Sequence, residues 1–475
     1  MWQQVYLVAV LFGGLALLMA LAVGGRSIFV VAPLCAALTV GLSGGNPIEA
    51  LTGPYMAGFA GYLRDFYFVF ALGAAFGKLY ETSGAAATIA RHVGRRLGTE
   101  RACLAVVLAA AILTYGGVSL FVVGFAVHPL AVRLFREANL PRRFIPAAIA
   151  FGSITFTMTS AGSPEIQNLI PIRYFVDEAT GQPLTDAAAG WPASLIVAGC
   201  MFAAGQWYLQ TALRRAARQG EAWTEAPDAR GAPSSQTDER SFAAAALPLV
   251  ATVLALNALP RACHALAALR APEPDGSRAA QWLQQALAGF PADPALSIFL
   301  GVVVALGVLR PGPRQAWGML GEGFTLGLLA IGATSSVVGF GAAIKDLAAF
   351  QQVIDWVTRI GGDPLIGAAI AVAVISALAG SASGGQGIAL PILKPIFIDE
   401  LGVAPRALHR VVAIASGSLD SLPANGYVVT LIRNICGETH QRAYGPIFVL
   451  TVVIPCLGAA LAIALFKLVP SWANS

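Results

Sequence analysis

The chain has 475 residues, 57% of them hydrophobic and only 12% charged, with a mean hydropathy of +0.70. A soluble domain carries about 25% charged residues, so this composition excludes a large soluble enzyme, and the unit to count is the membrane span of about 20 apolar residues. The net charge of +5 is carried almost entirely by arginine, in clusters between apolar runs. Nucleic-acid binding would interleave aromatics with such clusters on a soluble face; between spans they read as cytoplasmic loops, and no nucleic-acid partner is expected.

In chain order, "MWQQVYLVAVLFGGLALLMALAVGG" lacks a basic n-region and a small-x-small cleavage site. It reads as a retained span over 5–23, not a signal peptide. Spans at 28–44 and 62–80 follow, then a loop with Arg91, Arg95, Arg96 and Arg101. The next apolar run, Ala102–Phe135, is interrupted by Tyr115-Gly116-Gly117. Each arm has about 10–17 residues, which at 1.5 Å per residue reaches the middle of a roughly 30 Å core but crosses it poorly. A re-entrant hairpin over 102–136 is the economical reading; one kinked span, or two tightly packed ones, is the alternative. A non-helical tip at membrane depth needs protein or water to cover it.

A span over 144–175 contains the break "TSAGSPEIQN", and a further span covers 192–212. Residues 214–240 are polar, rich in Pro, Ala and charge, and read as a cytoplasmic linker. Beyond it come spans at 241–258, 294–309 and 316–342. A second interrupted run follows over 365–399, broken by Gly380 to Gly387, then a span over 406–434 with the break "SGSLDSLPANG", and a last span at 445–468. Residues 1–213 and 241–475 therefore carry the same order of features: five spans and one hairpin each. Pro141-Arg142 and Pro405-Arg406 follow the hairpins, Gly152-Ser153 and Gly417-Ser418 precede the breaks, and each break holds a carboxylate, a proline and an asparagine. An odd number of spans per half inverts the second half relative to the first, as in many secondary transporters. The fold class expected is an all-α polytopic membrane protein of two inverted repeats, each with a re-entrant hairpin and a broken helix. With the N-terminus outside, more than half of the 30 Lys and Arg fall inside.

Unwound backbone leaves free N–H and C=O groups, and helix N-termini in mid-membrane favour anions. Two breaks and two hairpin tips meeting at the midplane would form a polar chamber suited to an anion or polyol. The side chains and backbone expected to line it are Gly117, Ser119, Ser160, Ser163, Gln167 and Asn168 from the first half. Ser381, Ser383, Gln386, Ser418 and Asn425 would come from the second. Asp420 is a carboxylate inside a span, expensive there and a functional candidate by default. It is the expected proton carrier, with Glu165 its counterpart; packing alone is the plain alternative for both. No HExxH, Walker A, GxSxG or dinucleotide fingerprint occurs, so no metal or cofactor is expected. The six cysteines are scattered and read as small core hydrophobes.

At the two breaks, "TMTSAGSPEIQNLIP" and "SGSLDSLPANGYVVTLI" look like the gluconate permease-like (GntP) family of the ion transporter superfamily. "GGVSLFVVGFAVHPLAVRLFREANLP" resembles that family's first hairpin region. The resemblance covers most of the chain and is densest around 112–172 and 376–446. It implies proton-coupled uptake of a small organic or sugar acid by a homodimer whose transport domain moves like an elevator. One departure is Ala424, where the family pattern has a histidine between the proline and asparagine of the second break. The reading is a cation-coupled symporter of a small carboxylate in a bacterial inner membrane, in contact with lipid bilayer and its organic anion. A Na⁺-coupled symporter is the first rival, and an intramembrane enzyme using Ser383 or Ser418 with His409 the second.

Overall fold

The computed structural model describes every residue except 1, 24–25, 119, 225–240, 270–286, 288–292, 359–362, 380 and 424. Among the described residues the chain is helical, apart from one isolated antiparallel bridge between Val176 and Pro183. Apolar runs without charge give this outcome because a helix satisfies its backbone hydrogen bonds within the segment, the condition for sitting in lipid. Four helices, Pro47–Thr82, Trp191–Arg218, Pro313–Ile344 and His440–Leu468, are each long and apolar enough to cross a bilayer. Phe68, Trp207, Trp317, Leu329 and Leu457 on these helices are more than half exposed. Apolar surface on this scale suits hydrocarbon, not water.

Among the described residues, the helices of 1–213 and of 241–475 follow a similar order, the second stretch with one helix more, Leu259–Leu269. Trp2–Val23, Ile28–Leu42 and Pro47–Thr82 correspond to Phe242–Asn257, Pro294–Leu309 and Pro313–Ile344. Two amphipathic helices follow, Ala85–Leu97 and Ala348–Thr358, then a helical pair and a broken helix in each half. The first amphipathic helix occupies the stretch expected as the Arg91–Arg101 loop, with Arg95 and Arg96 in its last turn, where cations complement the helix dipole. Contacts are exchanged between halves. The two longest helices pack on each other, Ile28–Leu42 packs on Pro313–Ile344, and Pro294–Leu309 packs on Pro47–Thr82. A Cβ at Gly323 or Gly327 would lie 2.3 and 2.5 Å from the Cα atoms of Ala75 and Ala71. Small residues four apart thus set how closely the central pair approaches.

The first helical pair comprises Ala102–Tyr115 and Leu120–Glu137, turning at Gly116–Val118 as expected. The second comprises Pro364–Ala379 and Ala382–Lys394. Here the expectation of an unwound Gly380–Gly387 tip is corrected: helix resumes at Ala382. Ser381 caps it, its Oγ accepting the Gly384 N–H at 3.2 Å. Gly385 serves contact, not unwinding, since a Cβ there would lie 2.4 Å from the Cα of Ser376 on the other arm.

Candidate functional site

The first broken helix runs through Ile145–Ala150 and Phe151–Thr155, unwinds over 156–165, and resumes as Ile166–Tyr174. Gly162 takes φ +82° and Pro164 removes a donor, so the helix cannot continue there. The second runs through Pro405–Ser416, unwinds, and resumes at Gly426–Val429 and Thr430–Ile435. Asn425 caps the restart, Oδ1 accepting the Val428 N–H at 3.0 Å while Nδ2 donates back to Asp420 O at 3.1 Å.

The two breaks meet around a small chamber of about 20 Å³. Met158, Thr159 and Gln167 line it from the first break, Gly417 and Asp420 from the second, Ala382 from the second helical pair, and Thr451 from the last span. That volume holds about one water and no organic acid. The half-buried Asp420 carboxylate accepts the Ser421 hydroxyl at 2.8 Å. Around the chamber several buried oxygens have no hydrogen-bond partner among the described residues: Thr159 Oγ1, Gln167 Oε1 and Gln386 Oε1. Gln386 Nε2 is engaged, donating to Gln167 O at 3.1 Å and Ser416 Oγ at 2.7 Å.

Beside the chamber, Arg410 is 0% exposed and makes no ion pair among the described residues. Its guanidinium donates to Asn168 Oδ1 (2.9 Å), to Thr159 O, to Ala187 O (3.4 Å) and twice to Ala189 O (3.0 and 2.8 Å). All five donors meet neutral oxygens, so the charge is held in place without being cancelled. Asn168 is the hub. Its Nδ2 donates to Ser163 O and Ala187 O, and its Oδ1 also meets His409 Nε2 at 3.2 Å. His409 Nδ1 pairs with the Thr185 hydroxyl at 2.8 Å. Lys394 and Arg406 reach Glu178 and Asp186 of the same 175–190 loop, at 2.9 and 2.8 Å.

The structure brings Gln167 and Asp420 together in the chamber, with Gln386 and the Ser381–Ser383 turn adjoining it. The other expected residues serve the breaks. Ser160 and Ser418 donate to Phe156 O and Ala415 O, and Ser163 Oγ accepts the Glu165 N–H. The amide of Asn168 has no spare capacity for a ligand. Gly117 lies away from the chamber, against Pro164 and Thr252. The first tip is drawn there because Tyr115 donates to Ala161 O at 2.6 Å, so the expected meeting of two tips at one chamber does not occur. Glu165 is half-buried, off the chamber, with no side-chain partner among the described residues. Ser119 and Ala424 lie outside the described residues. Sequence reasoning passed over Arg410, although a second arginine four residues after Arg406 in the apolar "PRALHRVVAIASG" run was the available signal. Ser383 pairs with Ser381 and Ser418 with its own turn, so neither serine is set against His409.

Broken helices around a half-buried acid, within a helical assembly clad in apolar side chains, define an integral membrane transport protein. Residues 5–469 match the family described as GntP family permease, and the chain belongs to that family. It is 34% identical over 461 residues, covering 92% of this chain and 94% of the relative, to the uncharacterized transporter YxjC of Bacillus subtilis (strain 168). It is 33% identical over 140 residues to a high-affinity gluconate transporter of Escherichia coli (strain K12), covering 29% of this chain and 31% of that one. The fold resembles the crystal structure of the Alcanivorax borkumensis YdaH transporter, with a TM-score of 0.52 at 15% identity over 89% of this chain and 88% of that one. The family and its relatives are transporters, which removes the intramembrane enzyme as a reading.

Proposed function

We propose that the protein is a proton-coupled symporter of a small organic or sugar acid in a bacterial inner membrane. The observation that carries this reading is Asp420 on a cavity between the two breaks that holds about one water, so that an organic anion binding there has to open it and lie against this carboxylate. An organic anion beside an ionised Asp420 would meet like charge with little water to screen it. A protonated Asp420 removes that repulsion and offers a donor in its place. Anion and proton then bind together or not at all, which is symport. Arg410 supplies the positive potential that favours the anion, and the polar side chains of the breaks suit a polyol. The gluconate transporter among the relatives supports a hydroxylated acid as substrate.

The helical pairs act as re-entrant hairpins, and the halves 1–213 and 241–475 as inverted repeats joined by the 214–240 linker. Exchanged contacts between corresponding helices support this, since a pseudo-two-fold axis generates such reciprocity. Hairpins and broken helices move as one body past the Pro47–Thr82 and Pro313–Ile344 pair, elevator-fashion, in each subunit of a homodimer. A Na⁺-coupled variant is favoured by one feature, the unpartnered oxygens of Thr159, Gln167 and Gln386 near a carboxylate, a donor set that suits a hard cation. Uptake of labelled gluconate and a panel of organic acids into proteoliposomes decides. Accumulation driven by an inward-acidic gradient without Na⁺ is expected; accumulation only with a Na⁺ gradient at constant pH overturns the proton reading.

A further inference from the structure

An open vestibule of about 670 Å³ abuts the first break on the face that carries the 175–190 loop. Ala161 and Gly162 form part of its wall, while Met158 and Thr159, a few residues earlier, line the small chamber. A few residues of unwound chain therefore separate a space large enough for a small organic acid from one that holds a single water. Tyr115 and Asn257 hold that partition from the vestibule side, donating to Ala161 O at 2.6 Å and to Gly162 O at 2.9 Å.

Two guanidiniums line the vestibule, Arg261 and Arg406, and they share a single carboxylate. Asp186 Oδ2 accepts from Arg406 at 2.8 Å, whereas Arg261 stands 3.8 Å from the same oxygen. The longer separation is no hydrogen bond, so Arg261 is not needed to pin the loop and its guanidinium is held there only by a looser ion pair. Arg261 is placed by its own Nη1, which donates to Asn257 O at 3.2 Å. Going inward, exposure falls from 61% at the Arg261 side chain to 32% at Arg406 and 0% at Arg410. Arg406 and Arg410 are one helical turn apart, about 6 Å along the axis.

We propose that Arg261 and Arg406 form an outer capture site for the carboxylate of the transported acid, from which the anion passes to the first break above Arg410. The proposal rests on the organic-acid reading given above. Asp186 holds the place of the anion. Its Oδ1 stays bound to the Ala188 N–H at 2.8 Å, so Oδ2 is free to yield Arg406 without the loop coming apart. The charge-assisted geometry of a guanidinium with a carboxylate supplies the recognition, and two guanidiniums on one wall favour an anion over a cation there.

The test is initial uptake of labelled gluconate by the full-length protein in proteoliposomes at low and high ionic strength. Arg261→Glu should raise KM about tenfold at low salt, the lower end of what focused fields contribute. The gap should narrow toward wild type near 1 M salt, where screening acts within about 3 Å. Arg261→Lys should rescue most of the loss. Asp186→Asn keeps the turn acceptor and frees the second guanidinium, so it should lower KM. An unchanged KM in Arg261→Glu at low salt overturns the proposal, as does a rise in Asp186→Asn together with a salt-independent loss in Arg261→Glu. If the wild type takes up neither gluconate nor any acid of the panel, the organic-acid reading falls and takes the capture site with it.

Discussion

Asn168→Ala separates a structural hub from a ligand contact. The amide makes four hydrogen bonds, two given and two received. Removing it leaves Ala187 O still paired with Gly162 N at 2.7 Å and with Arg410. Left without partners are Ser163 O, the His409 ring nitrogen and one N–H of the Arg410 guanidinium, all fully buried. Each unsatisfied group costs about 1–3 kcal/mol, more when charged, so the loss should be at least about 3 kcal/mol. Asn425→Ala, by contrast, removes an N-cap worth about 1 kcal/mol and one bond to Asp420 O. Thermal unfolding of the detergent-solubilised protein should therefore rank Asn168→Ala well below Asn425→Ala, with Ser160→Ala nearest the wild type. A wild-type melting temperature in Asn168→Ala, combined with a raised KM for gluconate, would refute the hub and return Asn168 to direct substrate contact.

Further outcomes follow from the same geometry. Asp420→Asn keeps the Ser421 contact but carries no exchangeable charge. A gradient of two pH units supplies about 2.7 kcal/mol, or roughly 100-fold accumulation, to a one-proton symporter. The variant should accumulate nothing while retaining counterflow, and normal pH-driven accumulation would move the proton to Glu165. Gly152→Ala should fold poorly, because the new Cβ would lie 2.2 Å from the backbone oxygen of Val107; a stable, active variant would contradict the approach of the first broken helix to its hairpin. Arg410→Lys should keep part of the uptake that Arg410→Gln loses, since the former preserves the charge; equal activity in the two would remove that charge from the mechanism. In a background without the six native cysteines, Cys at Ser383 should react with hydrophilic thiol reagents and be protected by gluconate. Complete inertness under every condition would argue for a packed pair of spans.

How much of this was legible in the chain follows from the range of the forces involved. Apolar run lengths are local, so helix positions could be read directly: 294–309 coincides with Pro294–Leu309, and the breaks at "SAGSP" and "SLPAN" fall where glycine and proline deny the helix its next bond. The carboxylate of Asp420 declared itself because a charge inside an apolar run is costly wherever it lies. Family membership was legible for the same reason, its motifs being contiguous.

Side-chain partners were not legible. Asn168 and Asn425 each follow the proline of a break, yet one lies inside the restarted helix and accepts from a buried guanidinium while the other caps a helix; the stretch after Pro405-Arg406 carries Arg410 where the stretch after Pro141-Arg142 has Pro146, and no local rule requires that difference. The glycines from Gly384 to Gly387 read as a break, since an isolated helix loses stability with each; in the assembled structure the missing Cβ of Gly385 is room for Ser376 of the neighbouring arm, and that of Gly387 room for Val338 and Tyr62. Which tip reaches the chamber, and which carboxylate shares its arginines, depends on pairs brought together from more than 40 and more than 200 residues apart, Tyr115 with Ala161 and Asp186 with Arg406. Only the assembled helices bring such pairs within hydrogen-bond distance.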